Sequence, residues 1–430
     1  MPSTEHTTVA IVGAGLSGLI AARALQRRGI DVLVLEAADR AGGRTMSETT
    51  ALGSRVDLGG QWIGHDHHRI AALAAELGAT PFPMHTTGLP VLLDQRRRLS
   101  LAAPSVLLSI LALSALQVLA WLPTPRRWQD VTVAQWLKKM PGATARRLLR
   151  VVADISWTAD LHQMTVTSMI NMIRRQHGLL TMLSTNGGAQ DTLVKESIGS
   201  LAAHIAGEIG PRVRTGHRVT AIVQDEAGVT LHTAQGDVRA SKVIVTVPAP
   251  MARHIRFDPP LPRALIDLQH STHMGAVYKA IAVYDRPFWR DGAGSEFMVL
   301  DDPARAVFDS GSPGGPGHLV ILVGGPAARS LDGLDPAERQ QRLLADLVLQ
   351  VGPEVLKPAS WHEKSWHLDE HVGGGYMALT RPGAPAELPF PHAPVGRIHW
   401  AGTETAHDHP GYLDGAIEAG LRAAGELTSP

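Results

Sequence analysis

An α/β fold made of two interleaved parts is what this 430-residue sequence predicts, and three observations carry the prediction. A βαβ unit opens the chain, a long middle stretch has helical spacing, and from Val213 to Val247 the pattern switches to alternating strands. At roughly 100 to 200 residues per domain, the length allows two or more domains and a large core.

Val9-Ala-Ile-Val12 is a short β-branched run and reads as a buried strand. Leu16, Leu19, Ile20 and Ala24 recur at helical spacing until Gly29 stops the helix, and Asp31-Val-Leu-Val-Leu35 is a second strand. Helical patterns follow at about 70–77, 107–122, 133–139 and 144–155, with punctuation at Pro81, Pro83, Pro104, Pro123, Pro125 and Pro141. Strands are expected at 219–223, 229–232 and 243–247, with turn signals at Gly228 and Gly236, and again at 277–284 and 319–323. The segment 311–317 is a Gly/Pro-rich loop, and no solenoid-type repeat is present.

Lys plus Arg equals Asp plus Glu at 40 each, so there is no charge excess to recruit nucleic acid or an anionic membrane. The absence of cysteine excludes disulfides, thiolate-bound metals, iron–sulfur clusters, cysteine nucleophiles and thioether-linked cofactors. The first residues carry no basic region and Val9 to Val12 is too short for a secretory core, which reads as a cytoplasmic protein. Val106 to Leu122 is almost wholly apolar, at the low edge of what spans a bilayer. A span there would separate motifs that must share one domain. The segment is therefore expected as a helix in the core or at a dimer interface, with a membrane-resting helix or the wall of an apolar substrate entrance as alternatives.

Gly13-Ala-Gly15-Leu-Ser-Gly18 lies between the first strand and the first helix, and Glu36 closes the second strand. Gly13 permits the tight turn, Gly15 lets backbone approach a pyrophosphate, and Gly18 lets helix and strand pack closely. The helix N-terminus offers free N–H groups, and Glu36 can accept from ribose hydroxyls. This is a Rossmann-like dinucleotide signature in its strand, helix, strand, Glu context.

Ala41-Gly-Gly-Arg-Thr45 and Asp57-Leu-Gly-Gly60 follow at once, and Arg44 can bond phosphate bidentately. Near the C-terminus stand Arg397-Ile-His-Trp-Ala-Gly-Thr-Glu-Thr405 and Gly411-Tyr-Leu-Asp-Gly-Ala-Ile-Glu-Ala-Gly420. Ordered islands at 184–190, 243–248, 257–262, 273–279, 287–289 and 373–376 lie between. Together these resemble the flavin-containing monoamine oxidases, nearly end to end.

The resemblance implies an α/β fold with a Rossmann-like FAD-binding domain (GR2-type) formed by 1–79, 192–268 and 370–430. An α+β substrate-binding domain with a mixed sheet would take 80–191 and 269–369. It implies FAD contacts from Gly13, Gly15, Leu16, Ser17 and Gly18, from Glu36 and Ala37, and from Gly42, Gly43 and Arg44. Further contacts are implied for Gly59, Gly60, Gln61, Trp62, Val219, Val247 and Trp366. The C-terminal set is Tyr376, Gly402, Thr403, Gly411, Tyr412, Leu413 and Ala416, with a helix near Gly415 aiming its positive end at the flavin.

By the same resemblance Lys279 holds a water at flavin N5, and Tyr376 and Tyr412 face each other in front of the ring and channel a neutral amine to it. Gln190 and Trp62 belong to the substrate pocket. Trp62 stands where amino-acid oxidases carry a carboxylate-binding arginine, so the implied substrate is an amine without an α-carboxylate. The implied reaction takes a hydride equivalent from the α-carbon, gives an imine that hydrolyses, and returns the electrons to O2 as H2O2. A desaturase or other C–C oxidoreductase acting on an apolar substrate is the rival reading on the same fold, and a binding module without turnover a second. Gly375 occupies the position of the covalent cysteine in relatives that tether FAD, which implies non-covalent binding. Dimers are frequent among such relatives.

A further departure concerns a turn. Glu196-Ser197 stands where the family has Gly-Gly before a helix, which puts that turn and a nearby cofactor contact in question. His65-Asp-His-His68 has no second ligand group at characteristic spacing and reads as no metal site, while His407 and His409 read as surface-loop residues near the pocket mouth. No Asp or Glu can be assigned from sequence to the far end of the pocket, where a polyamine would need one.

Overall fold

The opening strand Glu5–Val12 runs into the helix Leu16–Gln26 and then the strand Val32–Leu35. The two strands are parallel, Val9 beside Val32 and Val12 beside Leu35. Their facing residues are buried on both sides, which is why they read as continuous apolar runs rather than alternating ones. The computed structural model describes residues 4–86, 89–292, 294, 296–384 and 387–428, so residues 1–3 of the N-terminal reading lie outside it.

Around this unit an eight-stranded sheet forms in the order 256–258, 219–225, 228–233, 236–245, 5–12, 32–35, 213–214, with Ile398–Trp400 also paired to Gly236–Val245. The pairings of 5–12 with its neighbours are parallel, while 219–245 is an antiparallel meander. The expected strand at 243–247 is the end of a longer one that starts at Gly236. Its first half, Gly-Asp-Val-Arg-Ala, is partly exposed and polar, and so hid the strand. Leu16–Gln26 packs between Ile198–Ile209 and the C-terminal helix Leu413–Glu426, one apolar cluster joining all three.

The second sheet has seven strands in the order 360–365, 277–284, 317–324, 305–309, 296–299, 91–94, 97–98. Val277–Tyr284 is buried along its whole length, as is its neighbour Gly317–Gly324; Ser360–Ser365 flanks it on the other side, and this places Lys279 inside the molecule. Helices between 104 and 183 cover one side, among them Ala143–Trp157 and Val166–Arg175.

The apolar segment forms the helix Pro104–Leu119, with Pro104 in its first turn rather than acting as a break before it. The expectation of a core helix holds for one stripe only. Val106, Ser109, Ala112 and Leu116 are buried, whereas Leu107, Leu111, Val118 and Trp121 are all more than half exposed. Among the described residues no helix is long and apolar enough to cross a membrane.

Candidate active site

One cavity of about 780 Å³ runs from the glycine turn of the first sheet to the second sheet and the helical region. At its first end Gly13 has φ +103, and a Cβ there would stand 2.5 Å from Thr246 Oγ1. A Cβ on Gly18 would stand 2.0 Å from the Gly13 carbonyl oxygen, so both positions demand glycine. Gly15 bridges to Gly42, which sets the two glycine segments side by side. The helix that starts at Leu16 has no side-chain cap, so its first N–H groups remain available at the cavity wall. Of the expected cofactor residues Gly18 alone is absent from the wall, because it packs beneath the turn.

Glu36 is buried at the end of its strand. Its Oε2 accepts from Ala14 N at 2.6 Å and its Oε1 from Ala38 N at 2.9 Å, which fixes the carboxylate to the glycine turn. Arg44 departs from expectation. Its fork donates to Glu404, Nη1 to Oε1 at 2.7 Å and Nη2 to Oε2 at 3.1 Å, and Nη1 also reaches the Tyr376 carbonyl at 2.9 Å. The bidentate face foreseen for phosphate is thus taken by a protein carboxylate. Burial opposes ionisation of Glu404, but Arg44 and the Ala378 N–H outweigh it and hold the carboxyl below its ordinary range.

Lys279 Nζ donates to the Gly59 carbonyl at 2.9 Å and to Gln61 Oε1, and lies 5.4 Å from the Trp62 ring centre. Burial lowers its proton affinity well below that of an ordinary lysine, against the attraction of Asp57. Burial raises the Asp57 carboxyl in turn, against N–H bonds from Ile198 at 2.8 Å and Gly199 at 2.9 Å. These bonds also settle the Glu196-Ser197 departure. Ser197 adopts φ +71 as N-cap of Ile198–Ile209, Glu196 is held by Thr80, and the helix start faces Asp57 rather than the cavity.

Tyr376 and Tyr412 both line the cavity, and burial raises both phenols, Tyr376 being raised further by Tyr412. Gly411 N and the Tyr412 carbonyl are tied through Thr403 Oγ1, each bond 2.8 Å. Trp62 and Gln190 line the same space, with Trp62 edge-on to Phe308 at 5.7 Å. The remaining expected contacts, Ala37, Gly59, Gly60, Val219, Val247, Trp366, Gly402, Leu413 and Ala416, are on the wall as well. The C-terminal helix begins at Leu413, close to the expected start. His407 is exposed as expected, but His409 is 5% exposed and packs toward Tyr412.

Glu296 was missed. It lines the cavity, its carboxyl is raised by burial, and Thr185 Oγ1 donates to it at 2.5 Å. The alternation in Glu-Phe-Met-Val could have pointed to it, since Phe297 and Val299 are buried while Glu296 and Met298 are only partly so.

The residues fit a flavin dinucleotide. Gln61 Nε2 is a buried donor with no partner among the described residues, and the glycine cradle supplies open backbone donors at the opposite end.

Comparison with known proteins gives the same direction. The family of flavin containing amine oxidoreductases matches residues 16–428. The Mycobacterium tuberculosis protein AofH, named for the flavin-containing monoamine oxidases, is 34% identical over 98% of this chain and 96% of its own. Cyclohexylamine oxidase from Brevibacterium oxydans IH-35A superposes with a TM-score of 0.91 at 31% identity, covering 98% of both chains. A putrescine oxidase bound to putrescine superposes at 0.86 with 28% identity and 99% of both chains covered. With its glycine cradle, buried lysine and two tyrosines lining one cavity, the chain belongs to the flavin-containing amine oxidoreductases, enzymes that oxidise amines with a flavin.

Proposed function

We propose that the enzyme is an FAD-dependent oxidase that converts a primary or secondary amine without an α-carboxylate to its imine and reduces O2 to H2O2. The observation that carries this reading is Lys279, buried on the cavity wall with its Nζ held between Gly59 and Gln61. FAD, held by the glycine turn, Glu36 and the C-terminal segment, would supply the two-electron redox chemistry.

The chain's own part is binding, desolvation and orientation. Apolar residues such as Phe308, Leu322 and Met172 line the substrate side, which disfavours an ammonium and favours the neutral amine. Tyr376 and Tyr412 keep their protons, since burial raises both phenols, and present uncharged rings to that amine. Lys279 would hold a water beside the ring, with Gln61 fixing its direction. Division into an FAD-binding part (1–79, 192–268, 370–430) and a substrate-binding part (80–191, 269–369) agrees with the two sheets and belongs to this proposal. Val106, Ser109, Ile110 and Leu113 line the cavity, which favours the apolar helix as the wall of the substrate entrance.

FAD is held without a covalent bond, because Gly375 and a cysteine-free sequence leave no thiol to carry one. Acid precipitation should release all yellow colour to the supernatant, and colour retained in the pellet contradicts this. A peroxide-coupled screen from cyclohexylamine to putrescine tests the reaction. Peroxide formation with at least one amine is expected, and flavin-loaded enzyme that makes none with any of them removes the oxidase reading.

A further inference from the structure

We infer that Asp66, His177 and His409 form a binding site for one zinc-class divalent cation behind the Tyr412 side of the cavity. The three residues come from separate parts of the chain. Asp66 Oδ2 lies 2.8 Å from His177 Nδ1 and 3.8 Å from His409 Nε2, and the three donor atoms lie within 4.8 Å of one another. Donors on a tetrahedral zinc with bonds of about 2.0–2.1 Å sit about 3.3 Å apart, so closure onto an ion needs side-chain shifts of about 1 Å. Two imidazole nitrogens and one carboxylate suit zinc or cobalt, whereas calcium and magnesium require a shell of oxygens.

The cluster is poorly satisfied by hydrogen bonding alone. Asp66 Oδ1 is buried and unpartnered, and His409 Nε2 comes only to 3.8 Å from Asp66 Oδ2, beyond hydrogen-bond reach. A third imidazole completes the surroundings. His67 packs on His409 at 4.5 Å and on Tyr412 at 4.8 Å between ring centres. Its Nδ1 accepts the Gly64 N–H at 2.9 Å, so a neutral ring carries its proton on Nε2, 3.9 Å from Asp66 Oδ1. That separation is too long for a hydrogen bond, so Asp66 Oδ1 stays unpartnered, and His67, with its proton on Nε2 and Nδ1 taken by Gly64, is not a fourth ligand; the fourth position is left for water.

An ion here would join three segments: the turn before Asp66, the end of the helix Val166–Arg175, and the loop that carries Tyr412. The last two already touch where Gln176 Nε2 donates to the Pro410 carbonyl. The cation is thus a clamp on one wall of the cavity, and its binding does not depend on which substrate the enzyme takes.

The test uses untagged, flavin-loaded enzyme stripped with a chelator and dialysed against micromolar zinc. Wild type should take up one zinc per chain and gain about 2 °C or more in melting temperature at saturating metal. Asp66→Asn and His177→Asn should each lose both effects; His177 has φ +59, a conformation that asparagine tolerates. Cobalt in place of zinc should give a visible difference spectrum in wild type only. No stoichiometric uptake by wild type, or equal uptake by wild type and both variants, overturns the site.

Discussion

Lys279 is a single amine enclosed by a carbonyl, an amide oxygen and a tryptophan ring, with Asp57 as the nearby acidic group. Replacing it with methionine keeps most of the apolar stem and removes the amine. The Lys279→Met enzyme should bind flavin normally yet lose on the order of tenfold or more in the rate of flavin reoxidation. Stopped-flow traces read reduction and reoxidation separately, and unchanged rates in both steps would remove Lys279 from the mechanism. This residue was legible in sequence because it sits within a local motif, His273 to Lys279. Arg44 was only half legible. Its position followed from Gly-Gly-Arg, but its partner Glu404 lies 360 residues away and nothing in the spacing of either announces the pair.

At the scale of elements, the helix Ala143–Trp157 carries a buried Asp154 whose Oδ1 has no partner. Burial pushes its carboxyl up to about 7. A folded-state pKa above the unfolded value means that the fold keeps the proton, so the stability linked to it is present in acid and lost as pH rises through about 7. Asp154→Asn removes the titration. Its gain over wild type should be small near pH 4 and grow to on the order of 3 kcal/mol near pH 8, read from denaturant midpoints. A gain independent of pH would contradict the assignment. Ser197 makes a second element-scale case, since φ +71 with ψ 149 is a conformation nearly reserved for glycine. Ser197→Gly should therefore stabilise the fold by about 1 kcal/mol, the loss of the serine cap being worth only a few tenths. A lower melting temperature in that variant would show that the cap dominates.

Strong one-period patterns made elements easy to read, and Val277–Tyr284 has the bounds expected for it. Short strands with a polar face were not readable, and Glu296–Val299 took the cavity carboxylate with it. For the helix Pro104–Leu119 the sequence leaves core, dimer interface, membrane contact and substrate entrance open. Its composition records that both faces are apolar, whereas only the packing tells that one of them meets the cavity and the other is exposed.

On the scale of the whole molecule, the cavity is assembled from both ends of the chain, the glycine turn near Gly13 meeting the C-terminal helix at Leu413 and Ala416. Local signatures expose such a site when each piece has its own pattern, as the glycine turn and the C-terminal segment do. Asp66, His177 and His409 had none, because no spacing links three single residues on different elements. The proposed reaction oxidises amines through FAD in this cavity and hands the electrons to O2. The most direct test mixes the enzyme anaerobically with amines in a stopped-flow spectrometer and then admits air. At least one amine should bleach the flavin absorbance, and air should restore it with one H2O2 formed per amine consumed. A flavin that no amine bleaches, or one that is bleached yet stays reduced in air, would contradict this reaction.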